Sequence, residues 1–185
     1  MRGLFVLTLI LALGTVAAPA AAPKAALIED FTMQPETRWR FFSDAVMGGV
    51  SSGRVVFARD GGRSYARMTG TVSTANRGGF IQMRLELPDP PAPDTRGVRI
   101  VVRGNDQRYF VHLRTSGTVL PWQYYQAGFD VSGAWTEIRL PLDSFAPSGG
   151  LLRTTPRPQS LRSIAVVAYG RDHDAQIDVA EVAFY

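Results

Sequence analysis

The chain has 185 residues, 45% of them apolar and 19% charged. That composition describes a globular domain and excludes a disordered chain, and the length leaves room for one domain plus a targeting segment. There is no cysteine, which excludes disulfides and thiolate chemistry. The formal charge of +4 rests on 20 basic residues, of which only Lys24 is a lysine. The arginines are scattered without a basic run, so nucleic acid is not an expected partner.

Taken in chain order, the first element is a leader. Arg2 precedes an apolar run from Leu4 to Leu13, and Ala18-Pro19-Ala20 fits a small-residue cleavage site. This pattern predicts a signal peptide over residues 1–20 and a single domain over 21–185, placed in the periplasm or secreted. The run is too short to span a bilayer comfortably, so an integral membrane protein is not expected after cleavage.

Next comes a loop rich in glycine and serine, Ser43-Asp44 followed by VMGGVSSG from Val46 to Gly53. Gly48 and Gly49 permit positive φ and close backbone approach. Asp44 and Ser51 can bond to loop amides. The expectation is a structural corner, with Gly48 and Gly49 both at positive φ, rather than a cradle for an anion. The spacing is not that of a phosphate loop or a dinucleotide fingerprint.

From Arg54 onward, short segments with period-two alternation predict strands over 54–59, 64–72, 79–87, 98–103, 108–115, 122–129, 135–140, 163–169 and 176–184. Turn clusters separate them, including Asn76-Arg77-Gly78-Gly79. Residues 88–93 read as a proline-rich connector and 146–159 as an outer loop. The class is all-β, a sandwich or barrel.

Alternation assigns faces. Val98, Ile100 and Val102, then Tyr109, Val111 and Leu113, then Ile81, Met83, Leu85 and Leu87, and finally Ile138 and Leu140 belong to the core. If these strands share one sheet, its opposite face carries Gln82, Arg84, Arg99, Arg103, Phe110, His112, Arg114, Glu137 and Arg139, joined by Tyr124 or Tyr125 from the WQYYQ run. Arginine forks and aromatic rings make such a face a candidate binding surface. The structural alternative is a solvated face whose charges pair across strands.

Catalytic patterns are weak. His112 has no acidic neighbour in sequence, and Asp172-His173-Asp174 reads as a turn whose adjacent residues do not converge on an ion without distant ligands. No G-x-S-x-G elbow is present. No enzyme activity, metal or cofactor is expected.

An ordered set of motifs resembles the complex I intermediate-associated protein 30 family. It begins with Trp39, Ser43-Asp44 and Val46-Met47-Gly48-Gly49-Val50-Ser51, and continues with Asn76-Arg77-Gly78-Gly79-Phe80. It runs on through Gly97, Arg103-Gly104 and Tyr109, then Tyr125-Gln126-Ala127 and Phe129, to Trp135, Leu140-Pro141, Phe145 and Pro147. One departure is Ser148-Gly149-Gly150-Leu151-Leu152-Arg153, where the family often carries an Arg-Gly pair. The resemblance implies a jelly-roll β-sandwich of the galactose-binding-like type. It also implies a non-catalytic assembly factor with a protein partner, such as an envelope or respiratory membrane complex. Related jelly rolls bind carbohydrate on one sheet face, so a glycan or small ligand is the alternative. The motif-loop residues Asp44, Gly48, Gly49, Ser51, Asn76, Gly78 and Gly79 are expected to be structural.

Overall fold

The computed structural model describes residues 26–185, so the expected leader lies outside the described residues. Twelve strands run in chain order: β1 Ala26–Glu29, β2 Trp39–Ser43, β3 Ser52–Asp60, β4 Arg63–Val72, β5 Phe80–Glu86, β6 Gly97–Gly104, β7 Arg108–Thr115, β8 Tyr125–Asp130, β9 Thr136–Pro141, β10 Ala146–Pro147, β11 Leu161–Tyr169 and β12 His173–Phe184. They form two antiparallel sheets packed face to face as a jelly-roll β-sandwich. Sheet A has the order β3-β4-β12-β6-β9, with β1 also pairing with β12; sheet B has the order β10-β8-β7-β11-β5-β2. Among the described residues no helix is long and apolar enough to cross a membrane.

Side-chain alternation explains the core. Sheet A contributes Met68, Val98, Ile100, Val102, Ile177 and Val182. Sheet B contributes Ile81, Met83, Tyr109, Val111, Leu113, Tyr125 and Ile164. Each fully buried aliphatic side chain adds about 1.5–3 kcal/mol, which pins the register, because a one-residue slip would turn a whole strand inside out. Leu87 and Ile138 pack against the rim of this core rather than inside it.

Five elements depart from the sequence expectation. β1 and β2 are strands that alternation from Arg54 onward did not include; Trp39 and Phe41 face the core while Arg40 and Phe42 face out. His173 opens β12 instead of lying in a turn. Residues 122–124 form a loop, so β8 begins at Tyr125. Ala146 and Pro147, inside the expected outer loop, pair with Gln126 and Tyr125.

β12 can serve both halves of sheet A because it is 12 residues long and bulged. Its register against β6 shifts between Val179 and Glu181, and such a bulge re-aims the side chains that follow. Tyr109 ties the sheets together at one end: its hydroxyl donates to Asn105 Oδ1 at 2.7 Å and accepts from the Gln176 amide at 2.8 Å. Burial pushes its phenol up to about 12.

Candidate functional site

Three constellations gather the residues that the sequence singled out. The first joins the two glycine-rich motifs. Asp44 is buried, and its carboxylate accepts from the Ser51 amide at 2.9 Å, the Ser51 hydroxyl at 2.5 Å, the Gly79 amide at 2.5 Å and the Phe80 amide at 3.3 Å. Burial alone would raise its pKa; the bonds from Ser51, Gly79 and Phe80 outweigh that and hold it below the ordinary carboxylate range.

The glycines fit around this one side chain. A Cβ on Gly49 would lie 2.3 Å from Asp44 Cγ, and one on Gly78 would lie 2.3 Å from Asp44 Oδ2. Only Gly48 of the first pair has positive φ, at 87°, where it ends the short turn Asp44–Met47. The positive φ expected at Gly49 is therefore corrected: contact with Asp44, not backbone handedness, demands a glycine there. Asn76 and Gly79 also adopt positive φ. The anion position of this loop is filled by the chain's own carboxylate.

The second constellation is the outer face of sheet A, where the structure places Arg99, Arg103 and Arg139. They are not on the same sheet as His112, because β6 and β9 pair with β12 while β5, β7 and β8 pair elsewhere. The single arginine face expected from alternation is therefore divided between opposite sides of the sandwich.

On sheet A the charges close on one another. Arg67 grips Asp178 through Nε at 2.6 Å and Nη2 at 2.8 Å, and Arg103 Nε reaches the same carboxylate at 2.8 Å. The Arg103 guanidinium lies 4.6 Å from the Trp135 ring centroid and 5.4 Å from that of Tyr65. Arg99 bonds Glu137 at 3.0 Å and Glu181 at 2.6 Å, and Arg139 bonds Glu137 at 2.8 Å. These cations meet their partners within the sheet and leave little charge for a ligand.

The third constellation lies on the outer face of sheet B and keeps Arg84, Phe110, His112, Arg114 and Tyr124 together. His112 is only 8% exposed. The Tyr124 ring lies flat against it, with centroids 4.0 Å apart and planes 7° from parallel. The Tyr124 hydroxyl donates to the Tyr169 hydroxyl at 3.2 Å, and Tyr169 meets Phe110 and His112 edge to face. Burial and the Tyr169 bond push the Tyr124 phenol well above its usual range. His112 Nε2 sits 2.8 Å from Gln126 Oε1, which can only accept, so the neutral ring carries its proton there.

Small residues beneath make this platform level. Ser163, Ala165 and Val167 of the central strand β11 are buried and lie in register between β5 and β7, whose longer side chains cover them. Arg114 donates to the carbonyls of Thr118, Leu120 and Pro121 at 3.1, 3.1 and 3.3 Å. It thereby holds the β7–β8 loop that carries Trp122, 64% exposed, and Tyr124. Arg84 lies 4.5 Å over the Phe42 ring and pairs with Glu86 at 3.0 Å.

Sequence reasoning missed Trp122 and Tyr169. Trp122 was visible in the WQYYQ run beside Tyr124. Tyr169 closes an apolar strand and joins the cluster only through long-range pairing. The acidic residues flanking His173 face apart: Asp172 accepts from the Thr74 amide and hydroxyl, both at 2.7 Å, and Asp174 accepts from Thr71 at 2.9 Å.

Burial of His112 has a pH consequence. Desolvation drives its pKa down to about 4 from an ordinary 6.5, against the opposing Gln126 bond. The unfolded chain therefore binds the proton first. The neutral ring's contribution is complete above pH 6.5 and is lost as pH falls through 6.5 towards 4, amounting to about 3 kcal/mol. We expect melting temperature to fall across that window, and His112→Gln to flatten the slope. A wild-type slope retained in the variant would place the titrating group elsewhere.

Known structures share this architecture. A family 11 carbohydrate-binding module from a cellulosomal cellulase of Clostridium thermocellum superposes with a TM-score of 0.70 at 15% identity, covering 89% of this chain and 95% of the module. A structure of the Clostridium thermocellum family 11 module with a β-1,3-1,4-mixed-linked tetrasaccharide gives 0.69 at 15% identity, covering 86% and 94%. A family 30 carbohydrate-binding module gives 0.53 at 10% identity, covering 74% and 80%. At these identities the likeness establishes the fold. No curated protein matches the chain. The sequence model of the family described as complex I intermediate-associated protein 30 matches residues 30–176. That span takes in the Asp44 latch, both sheet faces and nearly every strand, and the chain belongs to the complex I intermediate-associated protein 30 family.

Proposed function

We propose that this chain is a non-catalytic binding module that works outside the cytoplasm in the assembly of an envelope or respiratory membrane complex. Its recognition surface is the outer face of sheet B. The observation that carries the assembly reading is the family match over residues 30–176; the fold and family are those of binding domains. The sheet B face supplies the rest, because a levelled aromatic surface with an exposed Trp122 suits a desolvated contact, whereas the sheet A arginines meet carboxylates of their own sheet.

Crosslinking pull-downs from envelope fractions test this, with a Trp122→Ala/Tyr124→Ala variant beside the parent. Specific membrane-complex subunits should be enriched by the parent and lost by the variant. Equal enrichment by both baits would move the surface elsewhere, and enrichment by neither would overturn the protein partner.

A second reading has its own observation. The Tyr124 ring, backed in parallel by His112, is a flat stacking surface for a sugar ring, on a fold shared with carbohydrate-binding modules.

A further inference from the structure

The charge on sheet B is arranged differently from that on sheet A. Arg40 lies directly across from Arg84, and the same cross-strand row runs through Ala165 and His112 to Gln126. In the next row Glu86, Ser163 and Arg114 stand in line. Among the described residues Arg40 has no carboxylate within ion-pair distance, and Arg114 spends its donors on backbone carbonyls. Glu86 is the carboxylate that Arg84 contacts. Three guanidiniums thus share one carboxylate beside the Tyr124 platform. Burial and the Arg84 charge lower the Arg114 pKa, as expected for a cation short of counter-charge.

The cation and the rings are also mechanically joined. The loop that Arg114 holds is the loop that presents Trp122 and Tyr124. A ligand that stacks on Tyr124 sits above His112, whose cross-strand row continues through Ala165 to Arg84 and Arg40. Arginine forks match carboxylates in two-point geometry.

We propose that this face binds an acidic polysaccharide, with a hexuronate ring against Tyr124 and its carboxylate directed to Arg84, with Arg40 beside it. The proposal rests on the carbohydrate reading of the site and adds the ligand class. A neutral glucan would leave the excess cation unmatched, and the two rings would be its main anchor.

Isothermal titration with oligogalacturonate and oligomannuronate tests this against the mixed-linked glucan tetrasaccharide and polyglutamate. The uronates should bind about tenfold or more tighter than the neutral sugar. Their affinity should fall several-fold between about 50 and 300 mM salt. Arg84→Ala and Arg40→Ala should each weaken uronate binding about fivefold or more, and Tyr124→Ala should remove it. Equal, salt-insensitive binding of the neutral sugar would overturn the acidic preference and leave the carbohydrate reading standing. Polyglutamate binding as tightly as the uronates would point to an acidic protein segment and overturn the glycan. Binding unchanged in the arginine variants would place the anion elsewhere, and no sugar binding at all would overturn both the class and the reading beneath it.

Discussion

Replacing Asp44 with alanine should lower the stability of this domain by about 3–5 kcal/mol, a large share of what a domain of this size possesses. The side chain is buried and accepts four hydrogen bonds, three from backbone amides and one from the Ser51 hydroxyl. Alanine removes the acceptor and leaves the Ser51 and Gly79 amides with no replacement. Each orphaned buried donor costs about 1–3 kcal/mol. Asp44→Asn should cost less, because the amide retains one oxygen acceptor.

The same geometry predicts coupling with glycine. Gly78→Ala should cost about 2 kcal/mol alone, since its Cβ would fall 2.3 Å from Asp44 Oδ2. On an Asp44→Ala background most of that cost should vanish, because the two nearest obstructing atoms belong to Asp44. Urea denaturation of the two single variants and the double variant reads this directly. Strict additivity would show that the two motifs are not locked through this carboxylate.

Asp178 is the second position with a large expected effect. It is 3% exposed and receives Arg67 through two bonds and Arg103 through one. Asp178→Ala should destabilise by about 2–4 kcal/mol, short of a fully buried pair because Arg67 is partly hydrated. Arg67→Ala should cost less, since Arg103 remains to neutralise the carboxylate. Urea midpoints give the order, and Arg67→Ala proving the costlier would show that Asp178 is not the hub. The Asp178 variant, where it folds, should keep the ligand behaviour of the parent, because sheet A faces away from the Tyr124 platform. Loss of binding in folded Asp178→Ala would argue that recognition uses sheet A.

Much of this was open to reading in one dimension. Alternation placed Val98, Ile100 and Val102 in the core, and likewise Tyr109, Val111 and Leu113, because side-chain direction in a strand depends only on the adjacent residues. The motif spacing from Trp39 to Pro147 indicated the family that the sequence model then matched over residues 30–176. The residue types at Asp44, Gly48, Gly49 and Ser51 signalled a tied corner.

The tertiary structure alone decided which strands became neighbours. Arg99 and Arg139 looked like companions of His112 because all three occupy outward positions of their strands. Outward has two meanings in a sandwich, and pairing of β6 and β9 with β12 sent those arginines to the opposite side. Tyr169 joined Tyr124 across 45 residues of chain. Gly49 and Gly78 proved to face the same carboxylate from two separate loops. Period-two alternation is a property of the local backbone; strand order and loop contact are set by which long-range pairing buries the most apolar surface, and no short window of residues contains that information.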